Sequence, residues 1–207
     1  GPARRMSDPL PPLHIDRRII GEAHIPEEWL FLAKDHPRET WMANTALGET
    51  TKFWLSVHRH FRQMGAHLDR VGNDYREGNV TADEFQQRLA PRLQQFLATL
   101  DHHHRIEDHH FFPVFTAAEP RLADGIDLLE ADHETIDAQV HAMVDVANHL
   151  LQTPANDSEA LKRNGAAFAD ASERIVALLK RHLDDEEEII VPLFLDRGEV
   201  ALLGDPT

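Results

Sequence analysis

HHRIEDHHFFP, residues 103–113, and HLDDEEEIIVP, residues 182–192, follow one pattern, and the rest of the chain can be interpreted outward from them. In each stretch the first histidine precedes a glutamate by four residues and a proline by ten. The pairs are His103 with Glu107 and His182 with Glu186. Side chains four residues apart lie on one face of an α-helix. Each pair can therefore offer an imidazole nitrogen and a carboxylate oxygen to the same point, as metal ligands do.

A lone histidine stands upstream of each pair, so the pattern forms two tandem units. His58 lies 45 residues before His103, and His133 lies 49 residues before His182. Apolar residues around all four histidines recur at steps of three and four, as on the buried face of a helix. Carboxylates on such a face need compensation, which a metal would supply. We therefore predict an all-α fold, an antiparallel up-down-up-down four-helix bundle with inward-facing ligands at one level.

A few residues mark where the helices begin. Gly48 precedes the first apolar stripe, and Thr81 begins a capping box at the start of the second helix. Pro91 should kink that second helix or divide it into two. The third helix should begin near Pro120 and the fourth near Asn156.

Composition narrows the kind of site and partner. The 207 residues include no cysteine, which excludes disulfides, thiolate zinc sites and iron–sulfur clusters, so a metal must use nitrogen and oxygen ligands. Fifteen histidines fit such a role. A formal charge of −15 argues against contact with nucleic acid or anionic membrane. The sequence carries no secretion signal or long apolar run, so we expect a cytoplasmic protein.

The chain divides into three parts. Residues 1–48 should form an N-terminal arm, with an expression remnant at its start, an extended segment and a short helix near Pro26. Residues 49–195 should form the bundle, and residues 196–207 a C-terminal tail. The arm could pack across one end of the bundle, control access to the site or form a dimer contact, and the sequence leaves these alternatives open.

The ordered set of motifs resembles the hemerythrin-like, HHE cation-binding family over roughly residues 49–195. The resemblance implies a non-haem di-iron centre with an oxo or hydroxo bridge, although the same ligand types also suit manganese or zinc. It implies that Glu107 and Glu186 bridge the metals. The implied terminal ligands are His58, His103, His133 and His182.

Two positions depart from the family's oxygen carriers. The carriers have a second histidine one turn after the third-helix ligand, where this chain has Asp137, which we include in the expected ligand set. That substitution resembles the branch that does not carry oxygen. The carriers' last carboxylate stands in the register of Glu187, but the internal repeat favours Glu186. The crowded histidines 102, 104, 109 and 110 could face solvent, relay protons or orient a ligand.

The resemblance implies a protein that binds or reacts with O2, NO or peroxide, in sensing or oxidant handling. A di-iron oxidase or oxygenase acting on an unknown substrate and an iron store are the alternatives, so the sequence does not decide whether the protein is an enzyme. Bulky side chains near Glu107 favour a tight pocket for small ligands. A homodimer or an unknown protein partner stays open.

Overall fold

The computed structural model describes residue 13 and residues 15–205, and the expression remnant expected at the start lies outside these described residues. Every regular element among them is helical, and no strand occurs within that part of the chain. The helices are α1 Ile15–Ile19, α2 Glu49–Asp74, α3 Ala82–Arg88, α4 Ala90–Ile106, α5 Phe112–Ala118, α6 Ala123–Leu151, α7 Ser158–Arg197 and α8 Glu199–Leu203. The all-α prediction is therefore confirmed for the described residues.

The predicted helix boundaries are close to the observed ones. α2 begins directly after Gly48, and the Thr81 side chain accepts a hydrogen bond from the backbone N–H of Glu84 at 3.2 Å, which caps α3. Leu89 separates α3 from α4, as expected from a proline at position 91. At the fourth bundle helix the capping residue is Asp157, whose side chain accepts from the N–H of Ala160 at 3.0 Å.

A π-helical turn, Glu107–Phe111, joins α4 to α5 within the first of the two repeated stretches, residues 103–113. Its wider hydrogen bond runs from the N–H of Phe112 to the carbonyl of Glu107. Pro113 has no N–H and cannot continue the ordinary α-helical ladder, so the wider turn falls where that ladder is already broken. Such turns change the phase of the side chains around the axis, and the sequence pattern gave no sign of this one.

Polar side chains form a layer between two apolar clusters in the interior. On α6, His133 lies between Leu129 of one cluster and Ile136 of the other. On α7, Glu186 lies between members of the same two clusters. α7 packs against both α2 and α6 along its length, so the layer is enclosed by several helices.

The N-terminal arm is part of the interior packing. A 3₁₀ turn, Glu27–Leu30, stands where a short helix was expected near Pro26, and α1 is an additional helix that the sequence pattern did not indicate. Ile15 belongs to the larger apolar cluster, and Arg18 is buried. Within the described residues, none of the helices combines the length and the apolar character needed to cross a membrane.

Candidate metal centre

Six of the seven predicted ligands meet in the polar layer. α2 provides His58, α4 provides His103, and the π-helical turn provides Glu107. α6 provides His133, and α7 provides both His182 and Glu186. His58, His182 and Glu186 have no exposed surface, and the side chain least enclosed, that of His103, is 12% exposed.

The potential ligand atoms form two adjoining groups, and within each group they all lie within 4.8 Å of one another. One group is His58, His103, Glu107 and Glu186. The other is His104, Glu107, His133 and His182. Glu107 belongs to both groups, so the arrangement offers two neighbouring cation positions that share a carboxylate.

Both buried glutamates reach histidines of both groups. Glu107 Oε1 lies 3.3 Å from Nε2 of His103 and 3.5 Å from Nε2 of His133. Glu186 Oε1 lies 3.2 Å from Nε2 of His58. Its other oxygen, Oε2, lies 3.0 Å from Nε2 of His182. Carboxylates placed this way can bridge two metal ions.

The residues of the two groups together form the inner set of the centre. Carboxylates outside this inner set orient three of its histidines. Nδ1 of His58 lies 2.7 Å from Glu187 Oε2, and Nδ1 of His133 lies 2.7 Å from Asp108 Oδ1. Nδ1 of His182 lies 3.0 Å from Asp132 Oδ2. A carboxylate that accepts the Nδ1–H leaves the Nε2 lone pair free for a metal, the usual arrangement at metal-binding histidines.

The positions of Glu186 and Glu187 differ accordingly. Glu186 lies inside the inner set, whereas Glu187 lies behind His58 and pairs with Arg38 and Arg62. The four-residue spacing of the internal repeat had favoured Glu186 for the inner position. The orienting roles of Asp108, Asp132 and Glu187 were not foreseen, because they depend on contacts between different helices.

Several buried atoms of the inner set have no hydrogen-bond partner among the described residues. They are Glu107 Oε1, Glu186 Oε1, Glu186 Oε2 and His104 Nε2. Buried polar atoms without partners are costly and rare in proteins. These potential ligand atoms are imidazole nitrogens and carboxylate oxygens, which suit iron, manganese and zinc. Both the lack of hydrogen-bond partners and the ligand types fit a metal-binding site.

Three of the histidines have a raised pKa. Burial lowers the pKa of His58, but its close contacts with Glu186 and Glu187 outweigh this effect and raise the pKa to about 9. Burial opposes protonation of His133 too, yet its hydrogen bond to Asp108 helps raise that pKa well above the usual value. For His182 the effect of burial is outweighed by the neighbouring Glu186, and the pKa is again raised.

Glu186 and His104 keep forms that suit a metal ligand. Burial alone would raise the pKa of Glu186, but contacts with Glu107 and His182 hold it well below the usual value, so the group is ionised. Burial lowers the pKa of His104 well below its usual value, and the nearby imidazole of His133 adds to this. His104 is therefore neutral, with a nitrogen lone pair available.

The sequence suggested Asp137 as a ligand and left His104 outside the ligand set, whereas the structure groups His104 with the potential ligands and leaves Asp137 outside them. The side chain of Asp137 is 58% exposed, lies outside both groups and approaches His141 at 3.5 Å. His104 is 7% exposed, and its ring stacks on that of His133 with centroids 3.9 Å apart. The available signal was its three-residue spacing to Glu107, which places both residues on neighbouring parts of one helix face.

Two aromatic side chains contact residues of the centre. Trp54 donates a hydrogen bond from Nε1 to Glu107 Oε2 at 3.2 Å, and its ring lies 4.2 Å from that of His58. Phe112 stacks near His133 with ring centroids 5.5 Å apart. Trp54 was not singled out from the sequence, since an aromatic residue on an apolar stripe normally serves only packing.

One cavity reaches the centre from the surface. It has a volume of about 270 Å³ and lies between α4 and α6. His104 and His133 line it together with the apolar residues Leu97, Ile136 and Val140. The cavity therefore ends at the rings of two members of the second group, while Nε2 of His104 itself is buried.

Comparison with known protein families agrees with this geometry. The family model of the hemerythrin HHE cation binding domain matches residues 49–194, which include every residue of the two ligand groups. In comparisons with curated proteins and with solved structures, no match was found. The family match covers more than half of the chain, and the family binds metal cations. The chain therefore belongs to the hemerythrin HHE cation-binding family.

Proposed function

We propose that the centre holds two iron ions and binds or reacts with O2, NO or peroxide. Two groups of buried histidines share Glu107, and Glu186 also contacts histidines of both groups, and this is the observation that carries the proposal. Iron when bound would supply electrons and open coordination positions for these small ligands. The up-down-up-down course of the bundle is part of the same proposal, because it brings ligands from different helices to one level.

In this proposal the first ion would be held by His58 and His103, and the second by His104, His133 and His182. Glu107 and Glu186 would be shared. His104 would thus provide the ligand that the sequence had suggested for Asp137. The chain's own residues also hold the imidazoles in place through Asp108, Asp132 and Glu187 and limit access of water through Trp54 and Phe112.

An oxidase or oxygenase is the second candidate, and the cavity between α4 and α6 is the observation in its favour. At about 270 Å³ it is slightly below the usual size of sites for small organic ligands, roughly 300–1,000 Å³. Its lining combines apolar and charged residues and includes His104 and His133. A small organic substrate would fit this volume, since a cavity of roughly 150 Å³ already holds benzene, and O2, NO and peroxide fit easily.

The test is the visible absorption spectrum of iron-loaded, anaerobically reduced protein while oxygen is admitted and then removed. A band that appears and fades on deoxygenation supports reversible binding. A band that decays to a stable ferric spectrum supports oxidant reduction, and the second candidate would then be pursued with reductants and small substrates. Protein that takes up fewer than two equivalents of iron contradicts the proposed di-iron centre.

Metal uptake is expected to release protons. The raised pKa of His58, about 9, means that this imidazole is protonated near neutral pH, and a metal binds only the neutral form. The apparent affinity should therefore increase as the pH rises towards about 9, where His58 loses its proton without help from the metal. Zinc titration of apoprotein in weakly buffered solution with a pH indicator measures the release. His141→Ala is the control, since His141 is 74% exposed and remote from the groups; a pH-independent affinity would contradict the expectation.

A further inference from the structure

The N-terminal arm places an arginine against the carboxylates that surround the candidate metal centre. Arg18, on α1, has a side chain that is only 2% exposed. Its NH2 group donates to Asp132 Oδ2 at 2.5 Å, and its Nε donates to Asp185 Oδ2 at 2.8 Å. The guanidinium thus joins α6 and α7 by a two-pronged contact that the point charge of a lysine could not reproduce.

One of these contacts leads directly to a potential ligand. Asp132 Oδ2 accepts from Arg18 and also lies 3.0 Å from Nδ1 of His182. The arm is therefore connected to His182 through a single carboxylate, and Asp132 is itself only 1% exposed. A buried carboxylate requires a cation or several donors, and Arg18 is the arginine that hydrogen-bonds to Asp132 among the described residues.

A second arginine of the arm, Arg38, also contacts a carboxylate beside the centre, but its side chain is more exposed than that of Arg18. Arg38 donates from NH1 to Glu187 Oε1 at 2.7 Å, and Glu187 orients His58. The Arg38 side chain is 41% exposed, and Arg62 of α2 holds the same carboxylate at 2.8 Å. The two arm contacts therefore differ. Glu187 keeps a hydrogen-bonded arginine without Arg38, whereas Asp132 loses the arginine that hydrogen-bonds to it without Arg18, since the nearby Arg181 bonds to Asp185 instead.

We propose that Arg18 is a positioning residue of the metal centre and that the arm, through Arg18, forms part of its outer shell. Arg18 fixes Asp132, Asp132 holds the Nδ1–H of His182, and Nε2 of His182 faces Glu186. This inference rests on the proposed metal-binding function, and it assigns to the arm a role in ligand orientation that lies outside the matched domain. Losing the direct hydrogen-bond partner of a metal ligand, which Asp132 is for His182, typically lowers affinity about 10–100-fold, and the loss of Arg18, one residue further out, should lower it by up to about 10-fold.

The experiment compares cobalt(II) binding by full-length variants, using chelator competition for affinity and the ligand-field absorption of bound cobalt for geometry. Arg18→Gln is expected to lower affinity by up to about 10-fold, less than loss of the direct partner Asp132 would, and to alter the absorption spectrum. Arg18→Lys should lower affinity less than Arg18→Gln does, because lysine keeps the positive charge but cannot reproduce the guanidinium's two directed hydrogen bonds to Asp132 and Asp185. Arg38→Gln should change affinity less than Arg18→Gln does, because Arg62 still holds Glu187. Arg17→Gln is the matched control, since Arg17 is 47% exposed and remote from the centre.

A second variant separates orientation from folding. Arg18→Gln combined with Asp185→Asn removes one charge of each sign, so the net charge is kept while Asp132 still lacks the guanidinium of Arg18. Asp185 also pairs with Arg181, whose side chain is 39% exposed and can turn to solvent when that partner is lost. Urea unfolding of the apoproteins shows which variants are folded. Reduced affinity and an altered cobalt spectrum in a folded variant support the inference, because a purely structural arm would change stability alone.

Two outcomes are distinguishable failures. Wild-type protein that takes up no cobalt would overturn the proposed metal-binding function and this inference with it. Wild-type protein that binds two equivalents, with Arg18→Gln and the double variant folded and equal to it in affinity and spectrum, would overturn the role of Arg18 alone.

Discussion

Replacing Glu186 by glutamine is expected to lower the affinity for two metal ions by more than the roughly 100-fold that outer-shell changes reach. Glutamine has nearly the same shape but only one acceptor oxygen and no charge. Glu186 uses one oxygen toward His58 and the other toward His182, so the change affects both cation positions at once. Metal-to-protein stoichiometry after iron or zinc loading should fall below two, and chelator competition measures the remaining affinity.

The fold of this variant should survive, because the surrounding imidazoles can release their protons when the negative charge is lost. Circular dichroism should therefore show an unchanged helix content. Glu173→Gln is the matched control on the same helix, since the Glu173 side chain is 70% exposed. Two tightly bound metal ions per chain in the Glu186→Gln protein would show that Glu186 is not a shared ligand.

His104→Ala is expected to weaken metal binding strongly, whereas Asp137→Ala is expected to have little effect. His104 is buried, neutral and grouped with Glu107, His133 and His182, while Asp137 is 58% exposed and grouped with none of them. Removal of one nitrogen ligand should lower affinity at the second cation position by at least about 10-fold, while the first position retains its ligands. Stepwise isothermal titration with zinc distinguishes the two positions.

His104 and Asp137 both line the cavity between α4 and α6, so the two substitutions are matched for any effect on the shape of that cavity. The two variants also decide whether His104 or Asp137 is the seventh metal ligand. If Asp137→Ala weakened binding and His104→Ala did not, the ligand set inferred from the family pattern would stand, and the α4–α6 region would have to rearrange when metal binds.

Much of the centre was predictable because its ligands repeat at helical spacing. His103 with Glu107 and His182 with Glu186 are local pairs, so the geometry of one helix places both members on one face. His58 was predictable from the repeat, which places one histidine upstream of each pair. The same periodicity predicted the all-α fold, and Thr81 and the proline at position 91 predicted the first helix breaks.

The sequence by itself thus determined the helices and the faces that carry the inner histidines and glutamates, since both depend on residues a few positions apart. Only the tertiary structure decided which neighbours complete the centre. Asp132 meets His182 across 50 residues, and Arg18 meets Asp185 across 167. His104, rather than Asp137, joins the second group of potential ligands because of the way α4 faces α6. Contacts of this kind depend on the packing and phase of separate helices, which no local spacing encodes.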